Sequence, residues 1–139
     1  AHQDNLSQAI LEFTKTVEMN PNYAEAYYNR GLAYYKQGNY LQAISDYNKA
    51  IEINPDYAKA HYNRGVVYTK QDNYPQAILD FTRAIKINPN DVKAYTNRGF
   101  AYYKQGNYTQ AIFDFTKAVE INPNLAEAYY NRGIVDYTI

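Results

Sequence analysis

Apolar residues in this chain fall at helical spacing in short blocks, and the blocks alternate between two kinds. Tyr40, Ala43, Ile44, Tyr47, Ala50 and Ile51 form one stripe of a segment that closes on Asn54-Pro55. The proline stops it, because the residue before a proline is pushed out of the helical region. The preceding segment, Ala24 to Gln37, contains no breaker except Gly31 and carries Ala26, Tyr27, Arg30 and Tyr34 at helical spacing. Between the two lies Gly38-Asn39, which predicts a left-handed residue just past a helix end, followed by a turn. The pattern therefore predicts a helix, a tight turn and a second helix.

The same pair returns along the whole chain. Asn29-Arg30-Gly31 recurs as Asn63-Arg64-Gly65, Asn97-Arg98-Gly99 and Asn131-Arg132-Gly133, each 34 residues after the last. A fixed period of roughly 20–50 residues marks a stacked array. Three full units follow, 24–57, 58–91 and 92–125, flanked by a half-unit at 1–23 (second helix only) and one at 126–139 (first helix only). Small residues align at Ala26, Ala60, Ala94 and Ala128, and again at Ala43, Ala77 and Ala111. Aromatics align at Tyr34, Tyr68 and Tyr102, and at Tyr47, Phe81 and Phe115. Asp72 replaces the turn glycine in the second full unit, and aspartate tolerates that backbone better than most residues. Pro75 falls near the first turn of a second helix, where proline is harmless.

Tyr27, Gly31, Tyr34, Ala43, Tyr47, Ala50 and Pro55 in the first full unit, matched in phase twice more, resemble the tetratricopeptide repeat. The resemblance covers essentially the whole chain. It implies an all-α, right-handed superhelical solenoid of antiparallel helix pairs, in which first helices line a concave groove and second helices lie outside. Two departures stand out: His61 occupies an aromatic slot, and an arginine precedes each glycine where the family often has leucine.

Composition narrows the function. The chain carries 14 basic and 14 acidic residues, which argues against nucleic-acid binding driven by counterion release. The abundant tyrosines fall mainly at packing positions of the repeat, so core formation accounts for them better than base stacking. No apolar run approaches the ~20 residues of a membrane span. A soluble, cytoplasmic chain is the expectation, and with no cysteine the redox compartment is left open. His2 and His61 sit in different phases of the repeat, with no zinc spacing between them. No nucleophile-and-base set or phosphate loop is visible, so neither catalysis nor a cofactor is expected.

Carried over from the resemblance, the groove would be lined by a ladder of Asn29, Asn63, Asn97 and Asn131. Beside it would stand Tyr28, Tyr62 and Tyr130, then Tyr35 and Tyr103, with Lys59 and Lys93 and, at the rim, Lys36, Lys70 and Lys104. A carboxamide both donates and accepts, so each asparagine can pair with the backbone of one extended peptide residue. The arrangement is similar to the asparagine ladder of the O-GlcNAc transferase. The carboxylate clamp that holds chaperone C-termini is matched only by Asn63 and Lys93. Those lysines outnumber Glu25 and Glu127 on this face, so an extended, acidic-leaning peptide is the expected partner. The alternative is an asparagine that serves a local network. Arg30, Arg64, Arg98 and Arg132 recur opposite Glu12, Asp46, Asp80 and Asp114, which predicts arginine–carboxylate pairs across the helix contact.

Ala1 to Asn5 match Tyr35 to Asn39 in phase, so the chain is expected to open in the last turn of a first-type helix and to be a piece of a longer array. A natural C-terminus solvated by Asp136 is the other reading. Two further functions follow from the half-units. Residues 126–139 could pack on residues 4–20 of another copy, giving a head-to-tail assembly. The segment could also select substrates for a larger enzyme.

Overall fold

A computed structural model describes residues 2–139 as eight α-helices and no strand; Ala1 and the side chain of His2 lie outside the described residues. The helices are α1 (His2–Met19), α2 (Ala24–Lys36), α3 (Tyr40–Ile53), α4 (Ala58–Lys70), α5 (Tyr74–Ile87), α6 (Val92–Lys104), α7 (Tyr108–Ile121) and α8 (Ala126–Thr138). They group into two compact units, Ala1–Val67 and Tyr68–Ile139.

The turns form as the residues dictate. Gly38 and Gly106 take φ of +82° and +77°, and Asp72 takes +58° at the equivalent position. The N–H of Asn39 then reaches back to the Tyr34 carbonyl at 2.9 Å, and that of Asn107 to Tyr102 at 2.9 Å. These bonds satisfy carbonyls that a helix end leaves orphaned. The second helices stop at Asn54, Asn88 and Asn122, each in extended backbone before its proline. Pro75 lies in the first turn of α5.

One expected turn is absent. Asp4 and Asn5, in phase with Gly38-Asn39, are helical, so α1 runs 18 residues where α3 runs 14.

Packing follows the two kinds of block. In the first unit Ala43, Tyr47 and Val67 form a buried cluster with Tyr28, Tyr34, Tyr35, Tyr40 and Ile44 against it. In the second unit Ala111, Phe115 and Val135 form the matching cluster, and Tyr95, Ala118, Val119 and Ala128 form another. Glycine is required where first and second helices meet. A Cβ on Gly31 would sit 2.9 Å from the Tyr47 ring, and one on Gly99 would sit 2.7 Å from the Phe115 ring. Small residues on one helix thus make the recess that an aromatic on the next one fills.

Candidate functional site

First helices carry the predicted ladder, and its rungs are held differently. On α4, Asn63 donates from Nδ2 to the Tyr28 hydroxyl of α2 at 2.7 Å. Burial raises the Tyr28 pKa, while the Asn63 bond pulls the other way. The Tyr28 ring also lies 5.1 Å from Tyr57 and 5.9 Å from Tyr47. In the second unit Thr96 occupies the place of Tyr28, is buried, and turns its hydroxyl back to the Val92 carbonyl at 2.9 Å. A threonine hydroxyl is too short to reach across, so Asn131 on α8 lacks the tyrosine contact that fixes Asn63. Asn29 is exposed, whereas Asn63, Asn97 and Asn131 are half-buried.

The other predicted residues divide into spent and available groups. Tyr35 stacks on Tyr40 at 5.9 Å and Tyr103 tilts against Tyr108 at 5.7 Å, so each ring is half covered by the helix that follows. Tyr62 is half-buried and Tyr130 is exposed. Lys36, Lys59, Lys70, Lys93 and Lys104 are all exposed. Of these, Lys104 lies 5.9 Å from the Phe100 ring. None of the five makes a salt bridge among the described residues.

Glu25 and Lys59 both line an open cleft of about 680 Å³ in the first unit, walled further by Asn20, Tyr23, Asn54, Asp56 and Tyr57. These wall residues were not among the sequence candidates. They come from consecutive Asn-Pro turns, which the period marks only as helix stops. Asn20 and Asn54 each accept from the backbone N–H two residues on, at 3.3 and 3.2 Å, which braces the turns. Burial first, and the Glu25 charge second, push Tyr57 up to about 12.

The arginines are structural. Arg30 grips Asp46 with two bonds of 2.8 and 2.7 Å, and Arg98 grips Asp114 at the same distances. Each also donates backward to a hydroxyl on the preceding second helix, Thr14 at 3.2 Å and Thr82 at 3.1 Å. Arg64 reaches Asn48 at 2.7 Å and Arg132 reaches Thr116 at 3.3 Å in the same way. Tyr27 and Tyr34 flank Arg30 at 5.7 and 6.0 Å, and Tyr95 and Tyr102 flank Arg98 at 5.6 and 5.8 Å. Burial raises the Asp114 pKa even though Arg98 favours its charge. The predicted pairing is found for Arg30 and Arg98; Glu12 instead accepts from Gln8, at 3.2 Å. His61 is a packing residue, with Nε2 2.9 Å from the Pro55 carbonyl. Among the described residues no group of His, Cys, Asp and Glu side chains converges to hold a metal, and no helix is long and apolar enough to cross a membrane.

Comparison with known proteins falls in line with this geometry. Models of the tetratricopeptide repeat match residues 2–38, 31–72, 58–91 and 92–125. No curated protein matches the sequence. Among solved structures, MamA is similar at 26% identity over 99% of this chain and 80% of its own, with a TM-score of 0.94. YrrB, described as a TPR protein with an unusual peptide-binding site, is 27% identical over 97% of this chain and 70% of its own, with a TM-score of 0.86. The first TPR of Spaghetti (RPAP3), bound to the HSP90 peptide SRMEEVD, is 28% identical over 83% of this chain and 91% of its own, with a TM-score of 0.80.

Proposed function

The chain belongs to the tetratricopeptide repeat family, and from that premise we propose that it is a protein-interaction scaffold whose first helices grip an extended, acidic-leaning peptide. The observation that carries this reading is the combination on the first helices of exposed lysines without salt bridges and of Asn63, whose carboxamide has hydrogen-bonding capacity to spare. Asn63 gives one N–H to Tyr28 and keeps its second N–H and its carbonyl oxygen for a ligand. Tyr28 thereby orients the rung, which lowers the ordering cost of binding. Lys59 and Lys93 then supply charge beside the rungs without a competing carboxylate bonded to them. The peptide held by the Spaghetti domain, SRMEEVD, is itself acidic, which supports the same ligand chemistry here.

A peptide-library screen on wild type, on Asn63→Ala/Asn97→Ala and on Lys59→Glu/Lys93→Glu tests the reading. Binding should fall at least about tenfold in both double variants, and the lysine pair should reverse the preference from acidic to basic peptides. Tyr28→Phe should weaken binding less, because it frees the rung without removing it. Equal affinity for lysine-rich and glutamate-rich versions of one bound peptide would end the charge argument. Binding untouched by the asparagine pair would move recognition off this face.

A further inference from the structure

The cleft of the first unit is joined to an asparagine rung, yet its walls carry chemistry that the rung does not use. It measures about 680 Å³, within the roughly 300–1,000 Å³ usual for ligand pockets, and opens between the α1–α2 and α3–α4 turns. Tyr23, Tyr57, Glu25 and Lys59 line it, together with Asn20 and Asn54 of the two turns. The Tyr57 ring lies 5.1 Å from that of Tyr28, whose hydroxyl accepts from the Asn63 amide at 2.7 Å. Two tyrosines therefore connect rung and cleft.

Opposite charges share the cleft without neutralising each other. Glu25 and Lys59 are both exposed, and neither is in a salt bridge among the described residues. After burial, the Glu25 charge is the next cause that raises the Tyr57 pKa, so carboxylate and tyrosine are close enough to act on one cation. A ring beside a carboxylate is the chemistry that holds a basic group, because the ring face attracts it and the carboxylate bonds it. Asn20 and Asn54 spend their side-chain oxygens on turn N–H groups, which leaves their amide N–H groups for a peptide carbonyl.

The second unit is built otherwise at the same positions of the repeat. Lys93 stands in place of Glu25, and Asp91 and Leu125 stand in place of Tyr23 and Tyr57. Asp91 turns its carboxylate to the Ala94 N–H at 3.1 Å, and Leu125 packs against the Tyr95 cluster. Taking the first helices as the peptide-gripping face proposed above, we infer that the cleft of the first unit selects a basic residue of the bound segment. Its cation sits between the Glu25 carboxylate and the Tyr57 ring, while Lys59 takes an acidic neighbour. The partner is then an acidic-leaning peptide with a lysine or arginine set among its acids.

Fluorescence anisotropy with two pools of short labelled peptides tests this. One pool is glutamate-rich with a single arginine scanned through it, and the other carries alanine in the arginine's place. Wild type should bind the arginine pool at least about tenfold tighter. Glu25→Gln should bring the two pools within about twofold of each other, with helical circular dichroism unchanged because Glu25 is exposed. Tyr57→Leu, which copies the second unit, should also shrink the preference. Lys59→Gln should weaken both pools and keep their ratio, which separates the two charges. Wild type binding both pools equally would overturn the inference and leave the groove reading standing. A preference that Glu25→Gln does not change would also overturn it, by seating the basic residue elsewhere. Binding of neither pool would overturn both readings.

Discussion

Tyr47 shows how one atom can set the stability of a repeat. Its ring fills the Gly31 recess, but its hydroxyl is buried with no hydrogen-bond partner. Phe81 and Phe115 stand at the same position in the other units without that burden. Tyr47→Phe should therefore stabilise the protein by about 1 kcal/mol, read from urea midpoints. Burial also raises the Tyr47 pKa, and that of Tyr57 to about 12, above the ordinary value of 10.0. The folded state thus prefers neutral tyrosines. Their contribution is fully present below pH 10 and falls away as pH climbs toward 12, a loss that Tyr47→Phe should lessen in alkaline titrations. The glycines make a sharper contrast. Gly99→Ala should cost about 1–3 kcal/mol by driving a Cβ into the Phe115 ring. Gly133→Ala should stabilise by about 0.5 kcal/mol, because helix propensity acts there without a clash. Thermal melts of the two variants should move in opposite directions although the sequence writes both sites as Asn-Arg-Gly.

At the scale of elements, the sequence was legible where the backbone or volume dictates a residue. The helix pairs, the left-handed positions at Gly38, Asp72 and Gly106, and the stops before proline all follow from local sterics. The Arg30–Asp46 and Arg98–Asp114 pairs were legible because an arginine recurring at a packing position demands a carboxylate. The backward bonds were not, since their acceptors vary between Thr14, Asn48, Thr82 and Thr116 and look like ordinary surface positions. The bond from Asn63 to Tyr28 was hidden for a related reason: it depends on side-chain reach from a different repeat, which Thr96 lacks. Asp114→Asn should cost about 3 kcal/mol by leaving the half-buried Arg98 guanidinium without its carboxylate, whereas Thr82→Ala should cost no more than ~1 kcal/mol. A double-mutant cycle on chemical denaturation would compare the two arms of Arg98.

Within each unit contacts run mainly between consecutive helices, so damage should stay where it is made. Amide exchange in Asp114→Asn should accelerate in α6 and α7 by at least about tenfold more than in α2 and α3. Equal acceleration throughout would mean that the chain opens as one cooperative block. The charge balance has a matching lesson. A total of 14 basic and 14 acidic residues says nothing about placement, yet exposed lysines recur on first helices while Asp46 and Asp114 are taken up by arginines.

The two-way grip of Arg30 and Arg98, 16 residues back and 16 forward, also constrains how such a chain can change length. Inserting one residue into a turn would swing an acceptor to the wrong side of its helix and leave a guanidinium stranded. Removing or copying a whole 34-residue unit would bring an equivalent threonine or aspartate to the same place. Point insertions should thus be filtered out, while duplication and excision of entire units pass. The arginine works as a reading-frame check on the protein's own history, permitting growth only in complete words.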